Sequence, residues 1–288
     1  MANQNKSRSQ PVLPAKRKYA SRQSLPFQAW MIQKKRKQRN EVIDKLKALI
    51  TSLFSAGEQG AFYIPRPVVN GVQSLFQDDA GAVAVTADGD PVGLMIDQSG
   101  NGNHATQAVS GSRPVYRTDG ELHWLEFDGV DDNLAHTYSS GTSNLTLAAS
   151  GVTRDSGRQQ LVGAGAGGTK LTSLIWVSTG GTPSYWGTYS TNVSSSGDSA
   201  LNTTIVMINV GNYESEIQKL YTNGQLDSSI TGIYGGDSND RRFIGSEMVD
   251  KAFMEGRIYG IVALGREAAP SELSNLNKYL ADLAGVTL

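Results

Sequence analysis

The spacing of hydrophobic positions changes twice along this 288-residue chain. Between about 33 and 55, Val42, Ile43, Leu46, Leu49, Ile50 and Leu53 recur three and four residues apart, the period of an amphipathic helix. Ile43, Leu46, Ile50 and Leu53 also fit two a/d heptads, fewer than a coiled coil needs. The stripe therefore packs on its own domain, on a neighbouring protein or on a second copy. Ala56-Gly57 ends the helix, and Tyr63-Ile-Pro-Arg-Pro67 predicts an extended connector. Beyond it the period shortens to two. Leu122 to Phe127, Leu145 to Ala149, Leu174 to Val177, Thr204 to Val210, Ile217 to Thr222, Arg242 to Ile244 and Gly256 to Leu264 predict strands, punctuated by Asn-Gly, Asp-Gly and Gly-Gly. Asn223-Gly224 supplies the two positive φ angles of a type I′ hairpin. Many short strands without interleaved helices predict a mainly β, antiparallel sandwich or barrel. A helix closes the chain, from Pro270 through Leu273, Leu276, Leu280 and Leu283 to a stop at Gly285.

Charge divides the chain at nearly the same place. Lys6, Arg8, Lys16, Arg17, Lys18, Arg22, Lys34, Lys35, Arg36, Lys37 and Arg39 are eleven of the 26 basic residues, and no acid precedes Glu41. The rest holds 15 basic residues and all 27 acids, so the net charge of −1 conceals a positive arm on a negative body. Pro11, Pro14 and Pro26 among Ser, Gln and Lys leave too little apolar surface for residues 1 to 30 to fold alone. The division predicts a basic extended arm and anchoring helix over 1–57 and a sandwich over 58–288. Lys16, Arg17, Lys18, Arg22, Phe27, Trp30, Lys34, Lys35, Arg36, Leu46 and Ile50 are the candidate partner-binding residues. Such an arm could meet DNA phosphates, but the acidic body would repel a duplex, so protein partners are favoured over nucleic acid. The absence of cysteine excludes disulfides, thiolate metal sites and a cysteine nucleophile. No apolar run reaches membrane-spanning or signal-peptide length, so no membrane insertion is expected.

Several side-chain patterns carry candidate chemistry. Glu126 and Asp128, two apart on a strand, place both carboxylates on one side, as in the Glu-x-Asp-x-x-Glu signature of jelly-roll β-glucan hydrolases; the third position is Asp131 rather than Glu. Asp128, Asp131 and Asp132 can either cap a turn or offer clustered oxygens to Ca2+; no other cofactor is implied. Gly197-Asp-Ser199 resembles a hydrolase nucleophile motif, but no histidine follows it. His104, His123 and His136 lack metal-ligand spacing, and Gly163 to Gly168 lacks the βαβ surroundings of a phosphate loop. Trp176, Tyr185, Trp186 and Tyr189 lie among Gly, Ser and Thr, a setting in which aromatic faces hold sugars, although a sandwich core also uses such residues.

Three stretches in order resemble the concanavalin A-like, laminin-G-type jelly roll. They are Asp97-Gln-Ser-Gly-Asn-Gly-Asn-His104 with Arg113-Pro-Val-Tyr116, then Leu125-Glu-Phe-Asp-Gly-Val-Asp-Asp132, then Arg257 to Leu264 with Ser271 to Leu280. The resemblance covers residues 58 to 288 and is similar to domains frequent in structural proteins of tailed bacteriophages. It implies a non-enzymatic virion component in capsid decoration, neck or tail, present in multiple copies or as a homo-oligomer and held to other virion proteins by the arm. The alternatives are a carbohydrate-binding receptor module for host surface glycans and, through Glu126 and Asp128, a glycan hydrolase.

Overall fold

A computed structural model describes residues 27, 29–31, 34, 45–138, 144–164, 169–170, 173–179, 182–186, 201–212, 214–231, 236–237, 242–247 and 252–288. The chain divides into two units, Met1–Lys45 and Leu46–Leu288. In the first, residues 27, 29–31 and 34 are helical, so helix begins inside the segment expected to be extended. Phe27 and Trp30, one helical turn apart, stack at 5.9 Å, and the Lys34 ammonium lies 5.2 Å from the Trp30 ring. Lys16, Arg17, Lys18, Arg22, Lys35 and Arg36 lie outside the described residues.

The second unit is an antiparallel β-sandwich of two eight-stranded sheets. The larger orders its strands Gln225–Thr231, Ile217–Thr222, Ile205–Asn212, Leu145–Thr153, Glu255–Leu264, His123–Asp128 and Val115–Thr118, with Gly60–Tyr63 beside the far half of Glu255–Leu264. Gly60–Tyr63 is therefore a core strand that ends at Tyr63, where the expected connector begins. The second sheet runs from Thr182–Trp186 through Ser173–Thr179, Gln159–Gly163, Phe243–Ile244 and Leu134–His136 to the two-residue strands Ala105–Thr106, Leu94–Met95 and Leu75–Phe76. These short strands went unread because two residues show no period.

Both faces of the larger sheet are covered. Leu145, Leu147 and Ala149 enter the core between the sheets, while Ala148 and Val152 enter a second core on the outer face, so all nine residues of Leu145–Thr153 are buried. Glu255–Leu264 does the same, with a bulge: the register slips between Ser150 and Gly151, and the extra residue lets Ile258 and Ile261 both reach the inner core while Tyr259 and Val262 face outward.

The outer core is closed by two helices. Leu46, Leu49, Leu53 and Phe54, from the helical stretch 45–54, are buried there with Leu276, Leu280 and Leu283 of the helix Pro270–Leu283. The aliphatic stripe thus lies on the chain's own sandwich, and the compact unit starts at Leu46 rather than at 58. Leu46 is buried and Ile50 half-buried in this packing, which sets both apart from the partner-binding role expected of them. Gly260 permits the close helix approach, since a Cβ there would stand 2.6 Å from Leu283 Cδ1. Arg266 ties the layer together. Its guanidinium donates to both Glu272 oxygens at 2.7 Å and lies 3.5 Å from Glu58.

Candidate functional site

The most motif-like run, Asp97 to His104, is a clasp. Asp97 Oδ1 accepts from the Phe62 and Ser99 amides at 2.8 and 2.9 Å, and Oδ2 accepts from Ser99 Oγ and the Asn103 amide at 2.7 and 3.0 Å. The Asn101 and Asn103 side chains donate to the Gly60 carbonyl, and His104 Nδ1 accepts from the Asp97 amide. Every one of these bonds serves the backbone of the turn or of the strand Gly60–Tyr63. The run fixes a strand and offers a ligand nothing.

Asp128 to Asp132 is a second self-capped turn. Asp128 Oδ1 accepts from the Val130 and Asp131 amides, Asp132 Oδ2 from the Asp128 amide at 3.0 Å, and Asp131 Oδ2 from Ser112 Oγ at 2.8 Å. One oxygen from each carboxylate lies within 4.8 Å of the others, a spacing that oxygen-ligated Ca2+ can use. Burial, together with the neighbouring Asp128 and Asp131 charges, pushes Asp132 from its ordinary value up to about 7.

Glu126 and Asp128 are each bonded to other groups of the protein. Glu126 accepts from Trp124 Nε1 at 2.7 Å, pairs with Arg154, and lies 3.4 Å from Arg257 Nε, while Arg257 also covers the Trp124 ring at 4.8 Å. Its oxygens are committed to protein donors, and Asp128 is committed to the turn. The histidines are structural as well. His136 Nε2 lies 2.7 Å from the Gly163 carbonyl, and His123 Nδ1 shares a 2.6 Å hydrogen bond with Tyr116. Desolvation, with Arg66 nearby, depresses His123 to about 4. Residues 197–199 and 165–168 lie outside the described residues.

The candidate sugar-binding aromatics fall at one edge of the second sheet. Trp176 on Ser173–Thr179 pairs directly with Tyr185 on the edge strand Thr182–Trp186, and Trp186 pairs with Ile175. Trp176 and Tyr185 are thus opposed positions on one face, and Trp186 is offset by one residue. Their side chains, and all of Tyr189, lie outside the described residues.

Sequence reasoning missed a groove on the outer face of the larger sheet. Ile208, Val210 and Asn212 pair with Tyr221, Lys219 and Ile217, so these six positions share a face. Pro270, Leu273, Ser274 and Asn277, spaced along one helix flank, wall its apolar end. There a cavity of about 240 Å3 opens against Ile208, Tyr221 and Gly224. Toward the other end a cavity of about 210 Å3 is lined by Val210, Asn212, Ser215, Ile217, Lys219 and Glu267. Alternation in 217–221 and the helical spacing in 270–277 were both visible in the sequence, but only the fold sets them side by side.

No protein-family model matches this chain, and no curated protein matches it. Among solved structures, Trypanosoma rangeli sialidase in complex with sialic acid aligns over 88% of this chain and 40% of its own, at 16% identity and a TM-score of 0.52. An arabinofuranosidase complexed with arabinofuranosyl-alpha-1,2-xylobiose aligns over 81% of this chain and 65% of its own, at 12% identity and a TM-score of 0.57. The chain thus spans less than half the length of the sialidase. Identities this low establish a shared sandwich fold. They also correct the expectation of a non-enzymatic virion structural protein, because the folds matched belong to proteins named for acting on glycans. The physical reason lies in the stretches that carried the resemblance to phage domains: Asp97–His104 and Asp128–Asp132 are self-capped turns and the third is a strand and a helix, which report a sandwich and say nothing about the assembly that carries it.

Proposed function

We propose that the sandwich is a glycan-directed domain of the concanavalin A-like, laminin-G-type class. The observation that carries this reading is the cross-strand pairing of Trp176 with Tyr185 on the edge hairpin of the second sheet. Trp176 and Tyr185 hold directly opposed strand positions, and aromatic residues are the type that stacks on sugar rings. Support also comes from the solved structures of similar fold, whose titles name sialic acid and an arabinofuranosyl xylobiose as ligands. The test is a glycan array with the full-length chain, followed by titration of its best ligand with Trp176→Ala and Tyr185→Ala. Both variants should weaken binding at least tenfold; unchanged affinity in both removes the aromatic pair from the site. The same glycans are assayed for reducing-end release, since both neighbours are glycosidases.

Two further parts belong to this reading. Asp128, Asp131 and Asp132 are the place for a calcium ion, and melting curves with and without calcium at pH 8 test it; coincident curves remove the ion. The basic segment that includes Lys16, Arg17, Lys18 and Arg22 tethers the domain to an acidic partner surface. Deleting residues 1–45 should abolish retention on an anionic resin while leaving glycan binding intact.

A further inference from the structure

We infer that the groove between the strands Ile205–Asn212 and Ile217–Thr222 and the helix Pro270–Leu283 binds a short neutral oligosaccharide. This rests on the glycan-directed reading of the sandwich and adds a second, separate site to it.

Four features select the occupant. The groove runs beside Ile217 to Tyr221, four steps of about 3.3 Å each, or about 13 Å, the length of a short chain of sugar rings rather than of one small molecule. Its floor is mixed. Tyr221 and Leu273 provide apolar surface at one end, while Ser274 and Asn277 provide polar groups beside them. A sugar matches this pairing, because its ring presents C–H bonds to an aromatic face and hydroxyls to amides.

Asn277 strengthens the case. Its Oδ1 is buried and has no hydrogen-bond partner among the described residues, although the residue lines the cavity. A buried acceptor left unmatched is costly, and turning this half-buried amide toward a ligand hydroxyl in the cavity would relieve it.

Charge favours a neutral ligand, since no unmatched charge lines the groove among the described residues. The charges at the far end are mutually matched, with Lys219 Nζ 3.6 Å from Glu267 Oε1 and Asn212 Nδ2 donating to Glu267 Oε2 at 2.9 Å. An acidic sugar would have to break that set. A peptide adding as a strand is also excluded, since Ile205–Asn212 and Ile217–Thr222 are each paired on both sides and expose no backbone ladder.

The test uses the full-length protein with xylotriose, cellotriose and maltotriose as probes and sialic acid as the acidic comparison, titrated by calorimetry. Ser274 is exposed on the helix flank, so Ser274→Trp fills the groove without disturbing the core. Asn277→Ala places the strongest helix former on a half-buried helical position. The expected result is binding of at least one trisaccharide by wild type, no detectable binding by Ser274→Trp, and losses of about tenfold in Asn277→Ala and Tyr221→Ala. A trisaccharide bound equally well by wild type and Ser274→Trp overturns the groove. If Trp176→Ala and Tyr185→Ala abolish that same binding, the glycan-directed reading stands while the groove falls. Failure of wild type to bind any of the three trisaccharides, whether or not it binds sialic acid, overturns the groove directly.

Discussion

The two halves of the larger sheet's outer face have similar strands and different fates. Across Leu145–Thr153 and Glu255–Leu264 the outward residues Ala148, Val262 and Leu264 are sealed beneath Leu53, Phe54, Leu276 and Leu280. Across Ile205–Asn212 and Ile217–Thr222, Val206, Ile208 and Val210 are still buried in that same outer core, whereas Asn212, Ile217, Lys219 and Tyr221 are half-buried and two cavities open beside them. One face of one sheet thus serves as core and as open groove. The change comes where polar residues enter the outward positions, because a helix seals only a surface that repels water.

The sealed half should bear the largest stability effects. Leu53→Ala empties a fully buried site and is expected to cost about 2–5 kcal/mol, read as a lowered denaturation midpoint with unchanged slope. A loss under about 1 kcal/mol would mean that the first helix is not part of the folded unit. Leu46→Asp should likewise lower the melting temperature and leave the sedimentation coefficient unchanged, since its stripe is occupied by the sandwich itself.

Arg266→Ala probes the edge of that half. The guanidinium is half-exposed, so removing its two hydrogen bonds to Glu272 should cost about 1 kcal/mol after solvent screening. The accompanying Glu272→Gln should add little, because both changes break one interaction.

The acidic turn lies outside both halves and serves as a control through pH. Asp132 titrates near 7 when folded and near its ordinary value of 3.8 when unfolded. Below about 4 both forms carry the proton, so it contributes no pH dependence. Between 4 and 7 the unfolded chain has released the proton and the folded one holds it, so stability falls as pH rises; above 7 the loss is complete. In metal-free buffer Asp132→Asn should flatten that fall, and Arg266→Ala should leave it in place. A stability that rises from pH 4 to 7 more steeply in wild type than in the Asp132→Asn variant would reverse the sign of this account. The smallest effect on stability is expected in the open half, where Tyr221→Ala removes a half-buried ring from a groove and should change the midpoint by about 1 kcal/mol or less.

Much of the sandwich was legible because alternation is local. Ile217 to Thr222 appears as a strand at its predicted bounds, Asn223 and Gly224 adopt the positive φ angles of +49° and +82° that their turn requires, and the terminal helix starts at Pro270. The strand Leu145–Thr153 was read short, because Ser150 and Gly151 break the apolar run although both are buried between covered faces. Gly60–Tyr63 was missed because its hydrogen-bonding partner lies two hundred residues away, on the strand Glu255–Leu264. The sites were less legible than the fold. Glu126 looked like half of a carboxylate pair until Arg154 and Arg257, distant in sequence, closed on it. The groove depends on the register of one hairpin and the placement of one helix, neither of which is written in any single segment.

The central claim is that this sandwich recognises glycans, and a glycan array probed with the full-length chain tests it most directly. The account expects saturable binding to at least one glycan, competed by the same sugar free in solution and diminished in Trp176→Ala. An array on which wild type binds no glycan above the level of heat-denatured protein would contradict it.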